Sequence, residues 1–127
     1  MRLVDTSARI EWLTDSPAGR VLAADLPLSD QWLVPTIVQL ELAKWLTREV
    51  GEDRADQVIA FTETCVVVDL DTAIALAAAA LCGGQRKLAT ADAVVYATAQ
   101  AHDADLLTCD RHFEGLPRVR FVQKQRA

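Results

Sequence analysis

Short β-like runs alternate with longer helical ones along this chain, the pattern of βαβ units around a parallel sheet. Leu3-Val4 opens a first strand that ends at Asp5-Thr6-Ser7. A helix follows with Ile10, Leu13 and Trp12 on its inner side, and Pro17 interrupts it. Residues 21–26 continue as a second helical piece, and Trp32-Leu33-Val34 forms a second strand closed by Pro35. Thr36 reads as the N-cap of a long helix reaching Arg48, and a further helix covers 52–63. The β-branched run Cys65-Val66-Val67-Val68 is a third strand. Asp71 caps an Ala-rich helix that stops at Gly83-Gly84, and Thr90 caps the next, over 91–102. Leu106-Leu107-Thr108 and residues 119–122 are the last two strands. Right-handed crossovers then put helices on both faces of the sheet.

Composition narrows the class. A chain of 127 residues fits one domain, 1–127, with a core of its own. The apolar fraction of 51% is high enough that part of it, with Trp12, Trp32 and Trp45, is expected to face other chains. A net charge of −5 argues against sequence-blind wrapping of nucleic acid, yet is compatible with a nuclease whose acids gather at a metal. Cys65, Cys82 and Cys109 form no close pair, so neither a disulfide framework nor a zinc spacing is present. With no signal-like start and an uncharged run over 72–85 too short to span a bilayer, a cytoplasmic protein is expected, with no membrane role.

The informative chemistry lies in four acids, Asp5, Glu41, Asp92 and Asp110, each in or beside an apolar stretch. A charge there is costly unless something binds it, and gathered carboxylates repel until a divalent cation relieves them. Asp5 follows the first strand, where open α/β sheets build their sites. It could instead be a helix cap, although Thr6 and Ser7 can serve as that cap. Glu41 falls between Ile37 and Trp45, at the border of an apolar arc and a Lys44/Arg48 face. An ordinary surface glutamate paired with those bases fits it equally. Asp92 opens a helix that is apolar nearly all round, and suits the helix dipole as well as a buried site. Asp110 follows the fourth strand and fits both a site and a cap for the turn holding His112 and Phe113. Glu11, Asp15, Asp25, Asp53, Asp56, Asp103 and Asp105 read as solvated surface, and His112 as a residue shaping the turn rather than a ligand.

Four segments in order resemble the motifs of PIN domains: Leu3-Val4-Asp5-Thr6-Ser7, Pro35-Thr36-Ile37-Val38-Gln39-Leu40-Glu41, Thr90 to Ala99 around Asp92, and Leu107-Thr108-Cys109-Asp110-Arg111-His112-Phe113. The chain most resembles VapC-type toxins, the ribonuclease halves of toxin–antitoxin pairs. The resemblance covers the whole chain. It implies a PIN-like three-layer α/β/α sandwich around a mostly parallel sheet of about five strands. It also implies Mg²⁺ or Mn²⁺, an RNA substrate, a homodimer, and a small VapB-like antitoxin that binds it, in a larger hetero-oligomer.

On that resemblance, Asp5, Asp92 and Asp110 hold the metal and Glu41 completes the catalytic set, as ligand or by orienting water. Thr6, Ser7 and Thr108 hydrogen-bond around the acids or orient water, and Arg86, Lys87 and Arg111 are candidate contacts to the RNA backbone. The alternatives are a housekeeping PIN nuclease in RNA processing and, from a different class, a receiver-like or protein-interaction module. A receiver would want an acidic neighbour for Asp5 and a lysine after a late strand; Asp5 has no such neighbour and Lys124 lies past the last strand.

Overall fold

Five strands and six α-helices build one sheet with helices on both faces, and the computed structural model describes residues 1–124. In chain order they are β1 (Arg2–Val4), α1 (Thr6–Leu13), α2 (Pro17–Leu22), β2 (Trp32–Pro35), α3 (Thr36–Glu49), α4 (Glu52–Glu63), β3 (Val66–Val68), α5 (Thr72–Gly83), α6 (Thr90–Ala101), β4 (Asp105–Thr108) and β5 (Val119–Phe121). The sheet order is β3-β2-β1-β4-β5 and every pairing is parallel. The chain winds outward from β1 to β3, then crosses back through α5 and α6 to place β4 on the other side of β1. The crevice beyond the carboxyl ends of β1 and β4 is therefore the switch point where α/β sheets bind ligands. A receiver-type sheet runs 2-1-3-4-5, so this order removes the receiver-like alternative.

Alternating strand residues feed two cores. Leu3, Leu33 and Leu106 face a core filled by Val38, Leu42 and Leu46 of α3, Ile74 and Ala78 of α5, and the run Ala93–Ala97 of α6. Val4, Trp32 and Leu107 face a smaller one with Ala8 of α1 and Ala18 and Leu22 of α2. There the rings of Trp12, Trp32 and Phe61 pack with centroids 5.6, 6.4 and 5.5 Å apart. Arg9 lies over the Trp32 ring at 4.8 Å and donates from Nε to the Val4 carbonyl at 2.7 Å. Its Nη2 is buried without a partner, and burial lowers its pKa to about 10, which leaves it charged at neutral pH.

Several local expectations change. Pro17 does not interrupt a helix; it starts α2 at its first turn, where a missing N–H costs nothing, and Ser16 caps it by accepting from Gly19 N–H at 3.0 Å. The second helical piece thus ends at Leu22 and passes into a 3-10 turn, Ala23–Asp25. Thr36 and Thr90 are first helical residues rather than caps, because the extended residues Pro35 and Ala89 hold the cap positions. Trp32 is buried, while Trp12 and Trp45 are partly buried, Trp12 packed beside Trp32 and Trp45 against the larger core. The exposed apolar surface sits elsewhere, at Leu28, Leu40, Leu70 and Leu76.

The α1–α2 corner depends on one glycine. A Cβ on Gly19 would lie 2.0 Å from the Glu11 carbonyl oxygen and 2.6 Å from its carbon, both backbone atoms that cannot step aside. Gly19→Ala should therefore cost about 2–3 kcal/mol or more, read as a drop in urea midpoint at unchanged slope. Gly83→Ala, with no atom within 4 Å of its Cβ position, should change the midpoint little, and equal losses in the two variants would refute this packing.

Candidate functional site

Parallel register sets Val4 beside Leu107, so the residues that follow, Asp5 and Thr108, meet where β1 and β4 end. Asp5 caps α1: its Oδ1 accepts from Ala8 N–H at 2.9 Å and from the Ser7 hydroxyl at 2.7 Å. Its Oδ2 accepts from the Thr108 hydroxyl at 2.5 Å. Those hydroxyls are fixed in turn by the loop after β4. Cys109 N–H donates to Ser7 Oγ at 3.0 Å, and Asp110 N–H donates to Thr108 Oγ1 at 2.9 Å. Asp5 is thus both the helix cap and a candidate site residue, and neither Thr6 nor Ser7 replaces it as cap. The Thr108 hydroxyl is fully buried, donates to the Asp5 carboxylate and accepts from the Asp110 amide.

Burial dominates the electrostatics of Asp5. It pushes the carboxyl up from 3.8 to about 6, against the three hydrogen bonds that favour the charge, and neighbouring Asp110 raises it further. Asp92, in the first turn of α6, is also shifted upward by burial, while its bond to His112 pulls the other way. Asp110 begins the 3-10 turn Arg111–Phe113, and its Oδ1 accepts from His112 N–H at 2.9 Å. The His112 ring bends back so that Nδ1 lies 2.9 Å from Asp92 Oδ2 and 3.4 Å from Asp110 Oδ1. Asp92, Asp110 and His112 each offer a donor atom within 4.8 Å of the other two. Glu41, on α3, joins through α1: the Thr6 hydroxyl donates to Glu41 Oε1 at 2.7 Å.

Asp110 therefore lies beside Asp92 through His112 and is tied to Asp5 through Thr108, while Glu41 connects to the same region by way of Thr6. The acids are not without a basic neighbour, because His112 stands between two of them. Sequence reasoning read His112 as a turn residue and Glu11 as solvated surface, and the structure brings His112 against Asp92 and Glu11 into the cleft beside Asp110. Glu11 lines an open cleft of about 1040 Å³ with Ser7, Asp110, Arg111 and Lys124. Its signal was available: it lies four residues after Ser7, one helical turn along the same face of α1. Cys109 lines the same cleft, but burial pushes its thiol up to about 12, so it stays protonated and is no nucleophile.

A second hollow of about 310 Å³, lined by Arg86, Lys87, Leu88, Ala89, Asp92, Arg111 and His112, adjoins the first along Arg111. Arg86 is not plain surface. Its guanidinium donates to the carbonyls of His112, at 3.5 Å, and Glu114, latching the turn that carries the imidazole. Lys87 and Arg111 are exposed on the rim. The carboxylate oxygens of Asp92 and Asp110 are donors of the kind a hard divalent cation takes.

Comparison with known proteins agrees with this fold. No curated protein matches the sequence significantly. Among solved structures, the fold is similar to a chain of a toxin–antitoxin complex from Klebsiella pneumoniae, at TM-score 0.82 and 24% identity over 98% of this chain and 100% of that one. It is similar to VapC20 of Mycobacterium tuberculosis, a sarcin–ricin-loop-cleaving toxin, at TM-score 0.76 and 18% identity over 96% and 99%. It is also similar to a chain of DNA-bound VapBC from Salmonella typhimurium, at TM-score 0.70 and 19% identity over 97% and 98%. The family model of the PIN domain matches residues 2–119, and the chain belongs to the PIN domain family.

Proposed function

We propose that this protein is a metal-dependent endoribonuclease and the toxin of a VapBC-type pair, neutralised by a small antitoxin. The observation that carries the proposal is the buried Asp5 carboxylate, held at the strand ends beside Asp110 where charge is penalised. A fold keeps such a carboxylate when a cation repays its burial. Similarity to VapC20 and to chains of toxin–antitoxin complexes supports the biological role.

Asp5, Asp92 and Asp110 hold the cation in this reading, and Glu41 completes the acidic set. When bound, the cation supplies an activated water and neutralises charge on the phosphoryl oxygens. Ser7 and Thr108 keep both Asp5 oxygens in place, and Thr6 orients Glu41. Lys87 and Arg111 hold the RNA backbone along the rim, while Arg86 fixes the turn between them. Glu11 lines the same cleft as Ser7 and Asp110 and faces the path by which substrate reaches them.

The partner surface is expected on the side of α1 and α2, residues 10–26, and along α3. At the edge of that surface, a cavity of about 180 Å³ between α1 and α4, lined by Arg9, Trp12, Leu13, Arg54, Gln57, Val58 and Phe61, suits an inserted side chain. An arginine from the antitoxin then pairs with two carboxylates of the acidic site and denies it the cation. The homodimer is expected to cover α5, whose Leu76 is 67% exposed among Ala73, Ala77 and Ala80. No described helix is long and apolar enough to cross a membrane.

Asp5→Asn and Asp92→Asn should lower cleavage of RNA about 100-fold or more, and Asp110→Asn less, with partial recovery in Mn²⁺. At a hundred times its Kd, Mg²⁺ or Mn²⁺ should stabilise the wild type by about 2.7 kcal/mol and the Asp5→Asn/Asp92→Asn double variant far less. Equal metal-induced shifts in both proteins would break the idea of a shared site.

Without metal, Asp5 should destabilise the fold at neutral pH. Its native pKa of about 6 exceeds the unfolded value of 3.8, so the native state binds the proton more tightly and stability falls as pH rises between those values. The full effect, on the order of 3 kcal/mol, is present above pH 6. Metal-free Asp5→Asn should therefore melt higher than wild type by up to roughly 10 °C at pH 7.5, and the gain should shrink toward pH 4. A gain that stays constant between pH 7.5 and 4 would show that ionisation of Asp5 is not its source.

Expression alone should arrest growth, and co-expression of the neighbouring small gene should relieve the arrest. Arginine-to-alanine changes in that partner should return nuclease activity to the complex. A protein that is harmless alone and indifferent to its neighbour's product would instead be a housekeeping PIN nuclease.

A further inference from the structure

We infer that His112 is a nitrogen ligand of the cation and makes this site favour Mn²⁺ over Mg²⁺; the inference rests on the metal-site reading above. Adjacent donors around a six-coordinate ion of this size lie about 3 Å apart, given metal–oxygen distances near 2.1 Å. His112 Nδ1 stands 2.9 Å from Asp92 Oδ2 and 3.4 Å from Asp110 Oδ1, so the three atoms already span neighbouring corners of such a shell.

The placement of the ring is built. The turn beneath it is anchored by Phe113, buried and stacked on Tyr96 with centroids 6.5 Å apart. It is capped by Asp110 through the His112 N–H, and latched by Arg86 at the His112 and Glu114 carbonyls. None of these anchors uses the imidazole. Its side chain is 69% exposed, so packing does not dictate its direction, yet it turns Nδ1 toward two carboxylates. Imidazole is a poor ligand for Mg²⁺, which holds to oxygen, and a good one for the later divalent metals. The rival role is that of a counter-charge, in which a protonated ring merely offsets the two acids. The two roles predict opposite effects on metal binding, because a counter-charge competes with the cation and a ligand recruits it.

Mn²⁺ binding to the full chain can be followed by electron paramagnetic resonance, with pulsed detection of directly bonded nitrogen, and Mg²⁺ affinity by competition. The wild type should show nitrogen coupling. His112→Ala should lose that coupling and weaken Mn²⁺ about tenfold, while Mg²⁺ affinity changes less than about twofold. His112→Gln, offering an oxygen in place of the nitrogen, should also lack the coupling and recover part of the affinity. Persistent coupling in His112→Ala, or unchanged or tighter Mn²⁺ binding in that variant, overturns the inference. Asp92→Asn separates it from the broader reading. Wild-type binding that Asp92→Asn abolishes, but that lacks nitrogen coupling, sinks the ligand role and leaves the metal site standing. A wild type that binds neither ion sinks both.

Discussion

The structure turns on one buried carboxylate. Asp5 gathers the start of α1 and, through two hydroxyls, two amides of the loop after β4. Those amides belong to backbone that has left the sheet and would otherwise need solvent. Ser7 and Thr108 relay them to the carboxylate, so the ends of two adjacent parallel strands are bound to one another at the switch point. The same bonds offset only part of the burial penalty, which is why the carboxyl remains shifted upward. A neutral side chain could satisfy most of these donors, so the retained charge reads as a functional demand on the fold rather than a structural one.

From Asp5 outward the site loosens in steps. Asp5 is 5% exposed and fixed by three donors. Asp92 and Asp110 are half-buried, and His112 is exposed on a turn that Arg86 and Phe113 hold from behind. A rigid inner carboxylate with an accessible outer rim fits the nuclease function proposed above, in which the site must be reached from solvent. The charge on the far side of the sheet end follows a different logic. Arg9 is buried over Trp32 with one nitrogen unpartnered, and its Nε supports the last carbonyl of β1. Burial lowers its pKa and the nearby Asp5 charge offsets a small part of that, so the strand end carries opposite charges one helical turn apart.

The strands and most helices were legible because their periodicity is local: β-branched runs, apolar alternation, and Asp71 before an Ala-rich stretch, where it does accept from Ile74 N–H at 2.8 Å. The order β3-β2-β1-β4-β5 was not, since nothing in a run of valines says which strand lies beside it. Pro17 was misread for a related reason. A proline ends one helix or begins another depending on the residue before it, and Ser16, a good cap, was the signal. The stacking of Trp12, Trp32 and Phe61 was equally out of reach, because composition cannot say which rings pack on one another.

At the site, the acids were visible as charges stranded in apolar sequence, but their linkage was not. That Thr108 holds Asp5 and that Thr6 holds Glu41 are contacts across 103 and 35 positions. His112 illustrates the limit most sharply. In sequence it is two residues from Asp110 and looks like part of a turn, which it is. Only the packing of α6 against that turn puts Asp92, twenty positions earlier, against the same ring nitrogen. A side chain's chemistry here is set by which backbone elements close around it. One histidine can thus read as turn former, counter-charge or ligand from the sequence, while the distances around Nδ1 narrow it to the last two.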